Sequence, residues 1–267
     1  MNKFINSTLI FILFSFFIIS CSSVPVTGRK QLNIIPSGQL LSMSYQQYDQ
    51  FLKENKISNN QQQREMVQRV GKKIQNAVEQ YFRENRLTDQ LEGYQWEFHL
   101  IESKEVNAWC MPGGKVVFYE GIMPVCEDES GVAVVMGHEV AHAIAEHGNE
   151  RLSQGLLAQL GGIALSEALK EKPQQTQQLW MTAYGLGAQV GVLLPFSRTQ
   201  ESEADQLGLI FMAIAGYNPN EAVDFWQRMA KLGGQAPPEF LSTHPAHDTR
   251  IKDIKDHIPA AMKYYKK

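Results

Sequence analysis

Positive charge is in short supply in this 267-residue sequence: 25 Lys and Arg stand against 28 Asp and Glu, for a formal net charge of −3. A basic face for nucleic-acid phosphates therefore has no compositional support. Long hydrophobic runs are also missing. The one sustained apolar stretch, Leu9 to Ile19, is shorter than the roughly 20 helical residues that a hydrocarbon core requires. Glycine and proline, at 20 and 11, are near ordinary usage, and no repeat recurs at a spacing of about 20 to 50 residues. Collagen-like, low-complexity and solenoid architectures fall away. Cysteine occurs only three times, at 21, 110 and 126.

What is present begins with Met1 to Cys21. Lys3 supplies a basic start, the run to Ile19 is dominated by Phe, Ile and Leu, and the small Ser20 precedes Cys21, so residues 1–20 read as a secretory signal. Ile18-Ile19-Ser20-Cys21 resembles the lipobox of bacterial lipoproteins. That resemblance implies cleavage before Cys21, lipidation of Cys21 and attachment to a membrane lipid surface. With no Asp at position 22, it implies the outer membrane. Residues 21–37 are then a lipidated tether and residues 38–267 a single domain. Cys110 and Cys126 remain, readable either as a disulfide in an oxidising compartment or as two buried thiols.

The domain reads as α+β. Between Gly38 and Arg86, Met66, Val70, Ile74, Ala77 or Val78 and Tyr81 return at helical spacing, which predicts amphipathic helix. Tyr94, Trp96, Phe98 and Leu100 then alternate with Gln95, Glu97, His99 and Ile101, the period of a strand with one buried face. Pro112-Gly113-Gly114 predicts a turn before a second strand over Lys115 to Glu120. Two apolar, glycine-containing segments, Leu156 to Leu169 and Tyr184 to Phe196, fit a lid, a lipid-touching surface or core packing.

The chemistry lies after the sheet. Glu127, Asp128, Glu129 and Ser130 suit a helix N-terminus, and Val132 to Glu146 continues as helix until His147-Gly148. Within it, His138-Glu139-Val140-Ala141-His142 places two imidazoles one turn apart on one face, so both can reach one tetrahedral Zn2+. Glu139 is the candidate general base for a water that the metal activates. A third ligand is required, and Pro195, Ser197 and Thr199 predict the start of a helix over Gln200 to Ala215 that ends at Gly216. On that helix Glu201 can ligate zinc while Asp205, four residues later, accepts the other ring N–H of a ligand histidine. Glu203 points away from that face and reads as a solvated acid.

Taken together, His138-Glu139-x-x-His142, Glu201-x-x-Ala204-Asp205 and Ser242-Thr243-His244-Pro245 resemble the gluzincin family of zinc metallopeptidases that includes HtpX and the CAAX prenyl endopeptidases. Val24 to Arg29 and Asn107 to Gly114 resemble its secreted bacterial branch of LoiP- and BepA-like lipoprotein proteases. The resemblance implies a zincin-like fold, mostly helical with a small twisted sheet. It implies Glu201 as the third zinc ligand, Asp205 behind a ligand, and Asn107 and Ala108 on an edge strand that binds extended substrate. It implies hydrolysis of misfolded or misassembled cell-envelope proteins, with the anchored domain facing the periplasm. The membrane spans of HtpX-like members and the helical-repeat domain of BepA-like members are not expected here. A lipoprotein chaperone with little turnover is the competing reading. His244 is expected either to stabilise the oxyanion of the tetrahedral intermediate or to fill the fourth zinc position at rest, with Arg250 anchoring its loop. His99, His147, His247 and His257 match no ligand position and read as structural or solvated.

Overall fold

A computed structural model of the chain describes residues 21–172, 174–178, 180–182, 197–232, 238–245 and 249–266. The expected signal at 1–20, the whole apolar segment at 184–196 and His247 lie outside the described residues. The chain divides into two compact units: Met1–Pro36 with Gly148–Leu194, and Ser37–His147 with Pro195–Lys267.

In the first unit, β1 (Cys21–Ser23) pairs antiparallel with β2 (Lys30–Leu32), Cys21 opposite Leu32. Val26 and Gly28 both take a φ of 68° in the turn between them.

The second unit opens with α1 (Ser37–Glu54) and α2 (Gln61–Glu84). The long helical stretch expected from Gly38 to Arg86 is thus two helices. Asn60 starts the second by accepting the Gln63 N–H at 3.1 Å. Its buried stripe includes Val67, Val70, Ile74, Ala77, Val78 and Tyr81. The sheet follows: β3 (Glu97–Ile101), β4 (Ala108–Met111) and β5 (Lys115–Tyr119), in the order β3-β5-β4. β3 runs parallel to β5 and β4 antiparallel to it, which leaves β4 at an edge. The strict alternation predicted for β3 fails at its end, where Leu100 and Ile101 are both buried. Ile101, Val117 and Tyr119 pack on Tyr48 of α1, while α2 lies against β3, so the sheet has helix on both faces.

A short helix, α3 (Met123–Cys126), leads into α4 (Glu129–Ile144), where the Asp128 carboxylate caps the N–H groups of Ser130 and Gly131 at 2.8 and 3.0 Å. Every residue from Gly131 to Ile144 is buried. Such a helix shows no polar stripe because neighbours surround it. α4 ends two residues before the expected Glu146, which adopts a φ of 54°. That left-handed residue turns the chain at once into α5 (His147–Leu169). On α5, Glu150 takes both terminal guanidinium nitrogens of Arg29 at 2.8 Å, and Leu156, Leu160 and Ile163 are exposed. Among the described residues no helix is long and apolar enough to cross a membrane.

Then come α6 (Arg198–Ile214), α7 (Glu221–Leu232), α8 (Glu239–Thr243) and α9 (Arg250–Ala261). Ser197 and Gln200 form a reciprocal capping box that fixes the start of α6. α6 packs along α4, and they touch backbone to backbone at Gly137 and Gly208. Cys110 and Cys126 are free thiols, one half-buried in β4 and one buried in α3. This closes the disulfide alternative left open by the sequence.

Candidate metal centre

The close crossing of α4 and α6 decides where the site forms. α4 presents His138, Glu139 and His142, and α6 presents Glu201 and Asp205. The last member, His244, arrives from the end of α8. All six are buried. One ligand-type atom from each of His138, His142, Glu201 and His244 lies within 4.8 Å of the others. The Nε2 atoms of His138 and His142 are 3.1 Å apart, and His142 Nε2 is 3.2 Å from Glu201 Oε1. His244 Nδ1 is 3.2 Å from His138 Nε2 and 2.9 Å from Glu201 Oε1. With bonds of about 2.0–2.1 Å to a central ion, the corners of a tetrahedron lie about 3.3 Å apart. The donor set therefore has the size and chemistry of a tetrahedral metal site.

The ring orientations agree with that. His138 turns Nδ1 to Asp205 Oδ1 at 2.9 Å, so its Nδ1–H donates there and Nε2 keeps its lone pair. Two imidazole lone pairs aimed at each other repel unless a cation lies between them. Arg250 organises the acids: Nε and Nη2 donate to the two Asp205 oxygens at 3.0 and 2.8 Å, and Nη1 donates to Glu201 Oε2 at 2.6 Å. Its guanidinium stacks on Trp226, 3.4 Å from the ring centre, and Nη1 also reaches the Pro245 carbonyl at 3.3 Å. Glu201 thus directs Oε1 inward and gives Oε2 to Arg250.

Burial pushes the Glu139 carboxyl above its ordinary value, against the opposing influence of His244 and His138. Its Oε1 is buried without a hydrogen-bond partner, 3.5 Å from His244 Nε2. Burial drives the His142 imidazole well below the usual histidine range in spite of its bond to Glu201. For Glu201 burial opposes ionisation, but Arg250 and His244 outweigh it and hold the carboxyl well below its ordinary value. His142 is thus favoured as neutral imidazole and Glu201 as carboxylate, the ligand forms a metal takes.

One residue departs from the sequence reading, and a second stands closer to the site than its spacing alone conveys. Glu203 is buried, not solvated, with Oε2 3.2 Å from His147 Nε2. His147, read as structural or solvated and matching no ligand position, is structural: it is fully buried with Nδ1 2.9 Å from His142 Nδ1. The early end of α4 is the cause, since the turn at Glu146 folds the chain back under His142. His99 pairs with Glu97 and His257 with Ser202, neither in the cluster. Ala108 lies in the edge strand β4, and Asn107 precedes it, its side-chain oxygen accepting the Ala108 N–H at 2.9 Å. The Cys110 thiol of that strand is pushed well up by burial and by the Glu139 charge.

A model of peptidase family M48 matches residues 68–258, which contain every residue of the cluster. This chain belongs to peptidase family M48. It is similar to the mitochondrial metalloendopeptidase OMA1 of Schizosaccharomyces pombe, 37% identical over 169 residues that make up 62% of this chain and 48% of that protein. To the Arabidopsis thaliana protein of the same name it is 33% identical over 227 residues, 84% of this chain and 41% of the relative. It is 28% identical over 170 residues to the beta-barrel assembly-enhancing protease of Escherichia coli, 60% of this chain and 34% of the relative. The chain spans less than half the length of these three relatives. Membership in M48 implies a divalent metal, and the His and Glu cluster just described is compatible with holding one.

Proposed function

We propose that this chain is a zinc-dependent endopeptidase, held by a lipid on Cys21 at the periplasmic face of the outer membrane, that cleaves misfolded or misassembled envelope proteins. The observation that carries the reading is the convergence of His138, His142 and Glu201, with His142 Nε2 3.1 Å from His138 Nε2 and 3.2 Å from Glu201 Oε1, beside a carboxylate with an unengaged oxygen. His138, His142 and Glu201 would hold the zinc. The chemistry zinc supplies when bound is Lewis-acid polarisation of a carbonyl oxygen and acidification of water. Glu139 accepts the proton of the attacking water on its free oxygen and returns it to the leaving amine nitrogen. Asp205 fixes the His138 tautomer, and Arg250 holds Glu201 and Asp205 in register. The edge of β4, at Asn107 and Ala108, receives substrate as an added strand. The lipobox-like Cys21 supports the membrane address, and a relative named for β-barrel assembly supports envelope proteins as substrates.

His244 would take the fourth corner of such a site, with Nδ1 3.2 Å from His138 Nε2 and 2.9 Å from Glu201 Oε1, which supports the resting-state plug over the oxyanion role. Its Nε2 then faces Glu139, where the attacking water has to stand.

The test is zinc content and casein cleavage on the same sample of purified protein. Wild type should hold about one zinc per chain and cleave; Glu139→Gln should keep the metal and lose activity by about 10²- to 10⁴-fold. Zinc-loaded Glu139→Gln that cleaves as wild type does, or a wild type that protects unfolded clients without cutting them, defeats the reading. Radiolabelled fatty acid should enter wild type and not Cys21→Ser.

A further inference from the structure

His142 of α4 and Glu203 of α6 are joined through one ring. His147 Nδ1 lies 2.9 Å from His142 Nδ1, and His147 Nε2 lies 3.2 Å from Glu203 Oε2. All three side chains are buried. If His142 Nε2 keeps its lone pair toward the cluster, its proton must be on Nδ1. His142 Nδ1–H then donates to His147 Nδ1, which fixes the His147 proton on Nε2, and that N–H donates to Glu203. This single proton placement satisfies both contacts at once.

We infer that His147 and Glu203 form a positioning pair for the metal ligand His142, a relay that orients its ring and raises its basicity as Asp205 does directly for His138. The inference rests on the zinc reading above and adds two residues to it. Neither touches substrate. The two ligand histidines are backed differently: one by a carboxylate in direct contact, the other by a carboxylate acting through a neutral imidazole. Both carboxylates come from α6, the helix that also brings Glu201. The pair also explains why an acid is buried at 203, where helical geometry points it away from Glu201 and Asp205.

The experiment is zinc affinity by competition with a chromophoric chelator, with the visible spectrum of the Co2+-substituted protein as a second readout, on His147→Leu, His147→Asn and Glu203→Gln. Loss of such a partner commonly costs about 10- to 100-fold in metal affinity. His147→Leu should fall in that range and shift the cobalt bands. His147→Asn, which keeps a side-chain oxygen where Nδ1 stands, should recover most of the affinity. Glu203→Gln should lose only several-fold, because the amide oxygen still accepts the hydrogen bond. Affinity within about twofold of wild type in His147→Leu, or equal losses in the Leu and Asn variants, overturns the inference. Should His147→Leu not fold, Glu203→Gln and His147→Asn decide it by the same criterion: unaltered cobalt bands and affinity in Glu203→Gln, or a loss beyond about 10-fold in His147→Asn, reject the relay. A wild type that takes up no zinc defeats the metal reading itself, and the relay falls with it.

Discussion

Gly137 and Gly208 meet without side chains between them. A Cβ on Gly137 would lie 2.8 Å from the Gly208 carbonyl oxygen, and one on Gly208 would lie 2.9 Å from the Gly137 carbonyl carbon. Helix propensity alone favours alanine over glycine by about 1 kcal/mol, but neither backbone can yield as a flexible side chain would. Overpacking of this kind costs about 1–3 kcal/mol, so the contact outweighs the propensity. Gly208→Ala should therefore lower stability in urea denaturation and weaken zinc binding, although no ligand has changed. Unaltered zinc affinity in a folded Gly208→Ala protein would show that the crossing does not set the ligand spacing.

Arg250 binds two buried carboxylates, Glu201 and Asp205, and is itself buried. Removing it strands both charges. Arg250→Ala should cost about 3–5 kcal/mol of folding stability, measured by equilibrium denaturation with zinc chelated. A loss under about 1 kcal/mol would mean that the charges find other partners.

His244→Ala separates the plug from the oxyanion donor. With the fourth corner freed, basal cleavage of a peptide should rise while zinc is retained slightly less well. A fall of kcat and kcat/KM together would instead assign His244 to the transition state.

The Glu129 carboxylate ties α4 to α2, with Arg69 Nη2 2.6 Å and Lys73 Nζ 3.7 Å away, and it accepts the Tyr217 hydroxyl at 3.0 Å. Burial would raise its pKa, but the Arg69 and Tyr217 hydrogen bonds and the Arg69 and Lys73 charges outweigh it and lower it. A carboxyl whose folded value is depressed adds stability above its unfolded pKa, and that stability is lost as pH falls through the folded value. Wild type should thus melt above Glu129→Gln near neutral pH, and the gap should narrow as pH falls below about 4.5. A gap that does not change with pH would refute the linkage.

Much of the site was legible because its information is local. His138 and His142, and Glu201 and Asp205, are pairs one helical turn apart, so spacing alone puts each pair on one face. β3 was legible through a period of two that holds until Leu100 and Ile101, and β5 through the Pro112-Gly113-Gly114 turn before it, while the edge strand β4 was expected only from the family resemblance. His147 and Glu203 were not, because their roles depend on a bend at Glu146, a residue type that gives no warning of a left-handed turn. A histidine five residues after His142 was the only hint. The full burial of α4 also hid its surroundings, since a helix enclosed on every side shows no stripe to read.

Glu201, Glu203 and Asp205 occupy alternate positions in the opening turns of α6, and all three are buried. At about 100° per residue, Glu203 projects about 200° from Glu201, while Asp205 returns to the Glu201 side. Arg250 and His138 hold one flank, and His147 holds the other. Contacts on opposite flanks resist torque. The helix can therefore neither roll about its axis nor slide without breaking a buried polar contact, and the bearing of the Glu201 carboxylate is set by this two-sided grip as much as by its own rotamer.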